Sequence, residues 1–98
     1  MIDIRREQAA DHVAIRQVEE QAFDRPNEAD LVDALRTQEH LLLSLVAEED
    51  GEIIGHIAFS PIKIGREDAT FDAVALGPMA VLPQHQRRGI GSQLVERG

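Results

Sequence analysis

Two arginines and two glycines lie close together near one end of the sequence, in the stretch Gln86-Arg87-Arg88-Gly89-Ile90-Gly91-Ser92. The stretch follows an apolar strand pattern and opens a helical one, so unpaired N–H groups and the helix dipole favour an anion there. Gly89 and Gly91 leave the backbone accessible to a ligand. The arginines add positive charge and the Ser92 hydroxyl adds a hydrogen-bond donor. These residue types at this spacing predict a cradle for a phosphate-bearing ligand.

The same spacing also suits an ordinary strand–loop–helix turn, in which the glycines provide tight geometry and the arginines are solvated. The stretch is not a P-loop, because it has no Gly-Lys-Ser/Thr ending, and it lacks the three-glycine spacing of a dinucleotide fingerprint. Spacing alone leaves both interpretations open.

The charge distribution favours a small anionic ligand over a polyanion. The formal net charge is −8, and 17 of the 18 acidic residues precede residue 84, whereas three of the ten basic residues follow it. An acidic body with a basic end disfavours binding to nucleic acid, which depends on phosphate attraction. We therefore expect no nucleic-acid partner.

The composition is that of one folded domain at most, with 98 residues of which 43% are hydrophobic and 29% charged. The absence of cysteine excludes disulfides and thiolate chemistry. No apolar run approaches the roughly 20 residues that cross a bilayer, and the first residues lack a signal-peptide pattern. No membrane partner and a cytoplasmic location are therefore predicted.

Hydrophobic periodicity predicts the elements that position the cradle, in the order β-α-α-β-β-β-α. They are a strand at 2–4, helices at 9–23 and from 27 onward, strands at 41–47, 53–64 and 71–82, and a helix at 90–97. The predicted apolar stripes of the first two helices are Val13, Ile15, Val18, Ala22 and Phe23, then Ala29, Leu31, Val32 and Leu35.

The connections carry turn signals. Asp50-Gly51 predicts a hairpin turn with positive φ at both positions. Residues 65–70 are polar and predict a loop, and Gly77-Pro78 predicts a bulge in the strand that follows. The last helix has only about two turns, and its apolar residues need a sheet to cover. The order therefore predicts a truncated domain.

Residues 76–92 resemble the acetyl-CoA-binding core of the GNAT N-acetyltransferase superfamily. The family signature Gln/Arg-x-x-Gly-x-Gly/Ala is met by Gln86, Gly89 and Gly91, after a strand ending in Ala80-Val81-x-Pro83. The resemblance covers all 98 residues, including the hairpin before Gly-His. It implies a single α+β, sandwich-like domain over residues 1–98: a partial acyl-CoA N-acyltransferase fold with a mostly antiparallel sheet and the C-terminal half missing.

The resemblance also implies which residues bind acetyl-CoA. The pantetheine arm would contact the splayed strand, at Met79, Ala80, Val81 and Leu82. The pyrophosphate would be held by backbone N–H groups of Arg87, Arg88, Gly89, Ile90 and Gly91, flanked by Gln86 and Ser92. The implied reaction is acetyl transfer to a primary amine of a small molecule or peptide. Two alternatives stay open: a catalytically inactive remnant that binds CoA or only dimerises, and an unrelated phosphate-binding α+β domain.

Catalytic residues are not assigned by the resemblance. Ala75 stands where several members carry a glutamate base, and the chain has no tyrosine to act as the acid. Weak acceptor-side candidates are Glu19, Glu20 and Glu28, each most simply a solvated helix residue, and His56. The simplest reading of Asp11, His12, His40 and His85 is a capping or surface role, and no cluster has convincing metal spacing.

A homodimer or swapped assembly is the predicted state of the chain. The prediction depends on an exposed edge at the splayed strand and on an uncovered apolar helix, both of which favour pairing with a second copy.

Overall fold

A computed structural model describes residues 2–37, 41, 43–66 and 69–97, with the side chains of these residues outside 61–77. His40 and the side chain of Ala75 therefore lie outside the described part. The strands are β1 (Ile2–Arg6), β2 (Leu43–Glu49), β3 (Glu52–Arg66) and β4 (Ala69–Val81), and the helices are α1 (His12–Phe23), α2 (Asn27–Thr37) and α3 (Ile90–Arg97). Short 3₁₀ turns span Ala9–Asp11 and Pro83–His85. The predicted order of helices and strands is confirmed.

The four strands form one antiparallel sheet in the order β1-β2-β3-β4. The turn between β2 and β3 has φ of 53° at Asp50 and 82° at Gly51, as the Asp-Gly pair predicts. The α+β class and the antiparallel sheet are confirmed. No helix within the described ranges is both long and apolar enough to span a bilayer.

The predicted bulge lies in β4. Ile57 pairs with Met79 and Phe59 pairs with Leu76, so two β4 residues, Gly77 and Pro78, face one residue of β3. The predicted polar loop at 65–70 is too long, because Gly65 pairs with Thr70 and Arg66 with Ala69. Backbone pairing does not require apolar side chains, so the ladder continues through polar residues that the pattern assigns to a loop.

The sheet packs helices on both faces. His56 of β3 contacts α1, whereas a Cβ added at the preceding Gly55 would lie 3.3 Å from side chains of both Ile90 and Leu94 in α3. Successive strand residues point to opposite faces, which places α3 opposite α1 and α2. Ile90 and Leu94 are fully buried, so the expectation of an uncovered apolar helix is wrong for these two residues. Of the apolar residues of α3, Val95 remains exposed.

The apolar stripes of α1 and α2 are narrower than predicted. Ile15 and Val18 of α1 and Ala29 and Val32 of α2 are buried, but Leu31 and Phe23 are exposed and Val13 is 71% exposed. Val13 precedes Ile15 by two residues, roughly 200° around the helix, which turns it away from the sheet. The buried position that completes the α1 stripe is Glu19.

Candidate functional site

A cavity of about 580 Å³ opens between the end of β4, the loop that follows it and the start of α3. Eight of the eleven predicted ligand-binding residues line it: Met79, Val81, Gln86, Arg87, Gly89, Ile90, Gly91 and Ser92. His85, Val95 and Glu96 complete the lining. We call residues 85–89 the cradle loop and this space the cradle cavity.

The side chains of the other three predicted residues, Ala80, Leu82 and Arg88, do not line the cavity, whereas the contacts predicted for Ala80 and Arg88 involve their backbone groups. Ala80 and Leu82 are buried, and the Leu82 N–H donates to the Ile54 carbonyl at 2.9 Å. Ala80 alternates with Met79 and Val81 along β4, so its side chain is on the opposite face. The Arg88 guanidinium points to Glu49, at the end of β2.

The cradle loop exposes backbone donors. Arg87 has φ of 68° and Gly89 has φ of 76°, and left-handed residues of this kind occur in anion-binding nests, where successive N–H groups face one anion. The Gln93 N–H donates to the Gly89 carbonyl at 3.1 Å and is the first bond along α3. The N–H groups of the preceding three residues have no carbonyl within the helix to bind. The cavity therefore faces a helix N-terminus with free donors.

Side chains tie the cradle loop to the sheet. Gln86 Nε2 donates to the Val81 carbonyl at 3.1 Å. Arg88 binds both carboxylate oxygens of Glu49, at 3.0 and 2.7 Å, and lies 2.7 Å from His85 Nδ1. The hydrogen bonds from Arg88 hold the pKa of Glu49 below its ordinary value. Among the described residues, Arg87 makes no ion pair.

A second polar group lies inside the fold, in contact with α1. His56 Nδ1 is 3.1 Å from Glu19 Oε1, His56 Nε2 is 2.7 Å from Ser44 Oγ, and Ser44 Oγ donates to Glu7. Glu19 and His56 are each 0% exposed. We call these four residues the buried polar chain. The expectation that Glu19 is solvated is wrong, because the residue lies on the buried stripe of α1 and contacts His56 there.

The ionisation of Glu7, at the outer end of the buried polar chain, determines which groups along the chain donate hydrogen bonds. Burial disfavours the ionised form of Glu7, but hydrogen bonds from Arg36 and Ser44 outweigh it and hold the pKa of Glu7 below its ordinary value. Ionised Glu7 can only accept, so Ser44 donates to it and accepts in turn from His56 Nε2–H. One proton is then shared between His56 Nδ1 and Glu19 Oε1.

Glu19 has one further feature. Its second oxygen, Oε2, is buried and has no hydrogen-bond partner among the described residues. A buried carboxyl oxygen normally has a partner, because leaving it without one costs free energy.

The other acceptor-side candidates are surface residues. Glu20 lies 3.6 Å from Arg16, and Glu28 accepts hydrogen bonds from Arg25, which lower the pKa of Glu28. Asp11 accepts from the Gln8 N–H at 2.7 Å, as its capping role predicts, and also pairs with Arg5. No group of three or more metal-ligating side chains comes together in the described part of the chain.

Comparison with known proteins decides the family. The model of the acetyltransferase (GNAT) family matches residues 3–98. The chain belongs to the GNAT family. The resemblance of residues 76–92 and of the whole element order is thereby confirmed, and an unrelated phosphate-binding domain is excluded.

The curated GNAT relatives are considerably longer than this chain. The uncharacterized N-acetyltransferase YhbS of Escherichia coli K12 is 40% identical over 78 residues, which are 79% of this chain and 46% of YhbS. The uncharacterized N-acetyltransferase YjhQ of the same strain is 39% identical over 87 residues, 86% of this chain and 48% of YjhQ. The chain thus spans about half the length of the curated relatives it matches.

Two solved GNAT structures share the fold closely. A GNAT family acetyltransferase from Brucella melitensis, in complex with acetyl-CoA, is 48% identical with a TM-score of 0.92, over 100% of this chain and 66% of that one. E. coli YhbS in complex with CoA is 37% identical with a TM-score of 0.86, over 99% of this chain and 53% of that one. These matches confirm the partial acyl-CoA N-acyltransferase fold.

Sequence reasoning misses Glu49, Ser44 and Glu7. Glu49 pairs with a residue 39 positions away, and no local pattern predicts such a contact. Glu19 does carry a signal, because it stands four residues after Ile15 and three before Ala22, on the apolar stripe. His56 carries one too, as the polar residue in the apolar run 53–59 of β3.

Proposed function

We propose that this chain forms the acetyl-CoA-binding part of an N-acetyltransferase that acetylates a primary amine of a small molecule or peptide. The observation that carries the proposal is the cradle cavity, where free N–H groups of α3, two left-handed residues and Arg87 surround one space. That donor set suits the pyrophosphate of a CoA thioester. The CoA and acetyl-CoA complexes of the two similar structures support the same ligand class.

The proposed ligand path runs from the cradle loop along β4. β4 is the last strand of the sheet among the described residues, so its outer edge has backbone groups free to pair with the pantetheine amides. Met79 and Val81 line the cavity beside this edge. The bulge at Gly77-Pro78 interrupts the ladder just beyond them and turns backbone groups away from β3.

Acetyl-CoA would supply an activated acyl group: the acceptor nitrogen bonds to the acyl carbon, the C–S bond breaks, CoA leaves as a thiolate, and the proton lost from the nitrogen passes to water or to that thiolate. The chain's proposed part is to bind and orient the thioester, which turns a bimolecular reaction into one between positioned groups. A free N–H on the β4 edge would stabilise negative charge on the acyl oxygen.

We propose that Glu19 and His56 position the sheet beside the thioester path; both side chains are 0% exposed and bind each other, so neither is placed as the group that takes the amine proton. They share one proton, and His56 pairs across the sheet with Ala80 of β4. Strands in a sheet are about 4.8 Å apart, so the His56 backbone lies one strand spacing from the β4 residue Ala80. Glu19→Gln should therefore lower the acetylation rate of any amine the protein accepts and leave CoA affinity unchanged.

The comparisons do not support the alternative of an inactive remnant, because the matched curated relatives are named N-acetyltransferases. The homodimer, the cytoplasmic location and the absence of a metal stay predictions. Sedimentation analysis of the 98-residue chain tests the first of these.

Calorimetric titration of acetyl-CoA and CoA into the 98-residue chain tests the proposed ligand. We expect a dissociation constant on the order of micromolar, weakened at least tenfold by Gly89→Glu, which places an anionic side chain in the cradle. Arg97→Gln, in the last turn of α3 and outside the cavity lining, is the control and keeps the affinity. A folded wild-type chain that binds neither ligand contradicts the proposal.

A further inference from the structure

We propose that the two arginines of the cradle loop have separate roles. Arg87 faces the ligand phosphates, whereas Arg88 binds Glu49 and thereby fixes the conformation of the loop. We call this Arg88–Glu49 contact the brace. Glu49 is then a positioning residue for the cradle. The inference rests on the proposed CoA site and assigns a residue of β2 to it.

The brace is a two-point contact. Arg88 Nη1 donates to one Glu49 oxygen at 3.0 Å and Nη2 to the other at 2.7 Å, a paired geometry that fixes the guanidinium plane. Arg88 Nη1 also lies 2.7 Å from His85 Nδ1, so this nitrogen accepts and the ring is held in the Nε2–H form. One arginine therefore joins the end of β2 to the start of the cradle loop.

The second half of the cradle loop needs such a contact, because no described backbone hydrogen bond is donated by residues 87–89. The His85 N–H donates to Leu82 and the Gln86 N–H to Pro83, and the next described backbone bond is the one from Gln93. Between them lie Arg87 and Gly89, both with positive φ. A positive φ is unfavourable for a residue with a Cβ such as Arg87, so surrounding contacts must hold it. Arg88 stands between the two.

Charge separates the roles of the arginines. Glu49 already neutralises the Arg88 guanidinium, and a phosphate could bind it only in competition with that carboxylate. Arg87 lines the cradle cavity and makes no ion pair within the described residues. The cation available to the phosphates is therefore Arg87.

The experiment measures calorimetric affinities of the chain for CoA and for pantetheine, which lacks the phosphates. Arg87→Gln is expected to weaken CoA binding about tenfold, with a shallower salt dependence and unchanged pantetheine affinity. Glu49→Gln and Arg88→Gln are each expected to weaken CoA binding about threefold to tenfold. The double variant should be no weaker than either single one, because both remove the same brace.

A charge swap discriminates most sharply. Glu49→Arg combined with Arg88→Glu can re-form the brace with its polarity reversed, so CoA affinity should return to within about threefold of wild type. If Arg88 instead contacts phosphate, the swap stays as weak as Arg88→Glu alone. If Glu49 competes with the ligand, Glu49→Gln tightens CoA binding. Either result overturns the inference.

Amide hydrogen exchange separates this inference from the proposed function. In the absence of ligand, Glu49→Gln should speed exchange at residues 87–91 and leave the β2–β3 pairing protected. A wild-type chain that fails to bind CoA contradicts the proposed function, while unchanged exchange in Glu49→Gln contradicts the brace.

Discussion

Single residues decide the chemistry of the buried polar chain. Charged side chains are almost never fully buried without a partner, and here Glu19 and His56 are partners of each other. The pair is anchored through Ser44 to Glu7, whose own partner is Arg36 of α2. The half-buried carboxylate of Glu7 thereby determines that Ser44 accepts a hydrogen bond from His56 inside the fold.

Replacing one partner of the Glu19–His56 pair should lower the free energy of unfolding far more than replacing both partners. His56→Leu leaves Glu19 buried without a partner, and we expect the free energy of unfolding to fall by about 3–5 kcal/mol. Combining it with Glu19→Leu removes both polar groups, so the double variant should be more stable than His56→Leu alone. Urea denaturation at pH 7 measures both. Glu20→Gln, one residue along α1, is the surface control and should change stability by less than about 0.5 kcal/mol. Additive losses in the double variant contradict the pairing.

Arg87 combines a strained backbone with a proposed ligand contact. Arg87→Gly removes the cost of φ at 68°, so the free energy of unfolding should rise by about 1 kcal/mol while CoA affinity falls. Arg88→Gly is the matched control; Arg88 is not a positive-φ residue and its loss removes the contact with Glu49, so no stabilisation is expected. Thermal unfolding with and without CoA checks both signs. A less stable Arg87→Gly chain contradicts the strain argument.

The sequence predicts the cradle because its residues are adjacent in the chain. Gln86 to Ser92 form one turn and the start of one helix, so their spacing alone brings them together. Glu49 and Ser44 reach their partners only through the sheet, and nothing in their local sequence indicates those contacts. The site that sequence reasoning finds is therefore the local one, and the buried polar chain depends on tertiary structure.

At the scale of elements, the close packing of α3 against the sheet determines the position of the cradle. Gly55 allows the close approach, since an added Cβ would lie 3.3 Å from Ile90 and Leu94 and 3.4 Å from Ala47. α3 begins at Ile90, so a change at Gly55 is transmitted directly to the helix N-terminus that faces the cavity.

Gly55→Val should therefore damage both the core and the cradle. Overpacking a filled core costs about 1–3 kcal/mol, and displacement of α3 should also weaken CoA binding. Gly51→Ala is the control for a glycine substitution that meets no atom within 4 Å; it costs about 1 kcal/mol through its φ of 82° and should leave CoA affinity unchanged. Urea unfolding and calorimetry on the two variants make the comparison. Wild-type CoA affinity in a folded Gly55→Val chain contradicts the proposed link.

The sequence predicts elements well wherever a local rule determines the backbone. Asp50-Gly51 and Gly77-Pro78 produce the turn and the bulge that their types require. Strand ends are predicted less well, because β3 and β4 continue pairing through polar residues. The predicted burial of the helix stripes is wrong at Val13 and Leu31, because these apolar residues do not lie on the helix face that the sheet covers.

At the scale of the whole molecule, ion pairs between acidic residues and a few arginines connect the elements. Arg5 of β1 binds Asp11 and Glu48, and Arg36 of α2 binds Glu7 and Asp33. The chain has 18 acidic and ten basic side chains, so the unpaired excess is negative. Lowering the pH therefore has two opposite effects on stability. Protonation reduces the repulsion among the excess carboxylates, and it also breaks the ion pairs.

We expect loss of the ion pairs to dominate. Hydrogen bonds from arginines lower the pKa of Asp11 and, against burial, that of Glu7, so both carboxyls hold protons less tightly in the folded than in the unfolded state. Their stabilisation is then complete above the ordinary carboxyl pKa of about 4 and is lost as the pH falls toward the lowered folded values. The free energy of unfolding, measured in urea between pH 7 and pH 3, should accordingly stay level to about pH 5 and then decline.

Glu7→Gln identifies the source of this decline. It removes a charged acceptor shared by Arg36 and Ser44, which should cost about 1–3 kcal/mol at pH 7 and make the decline shallower, because one fewer proton is taken up on unfolding. Glu20→Gln, a carboxyl whose contact is one exposed arginine, should keep the wild-type slope. Stability that instead rises between pH 5 and pH 3 would mean that relief of charge repulsion outweighs the ion pairs, and that the connections from Glu7 to Arg36 and Ser44 contribute little to the folded state.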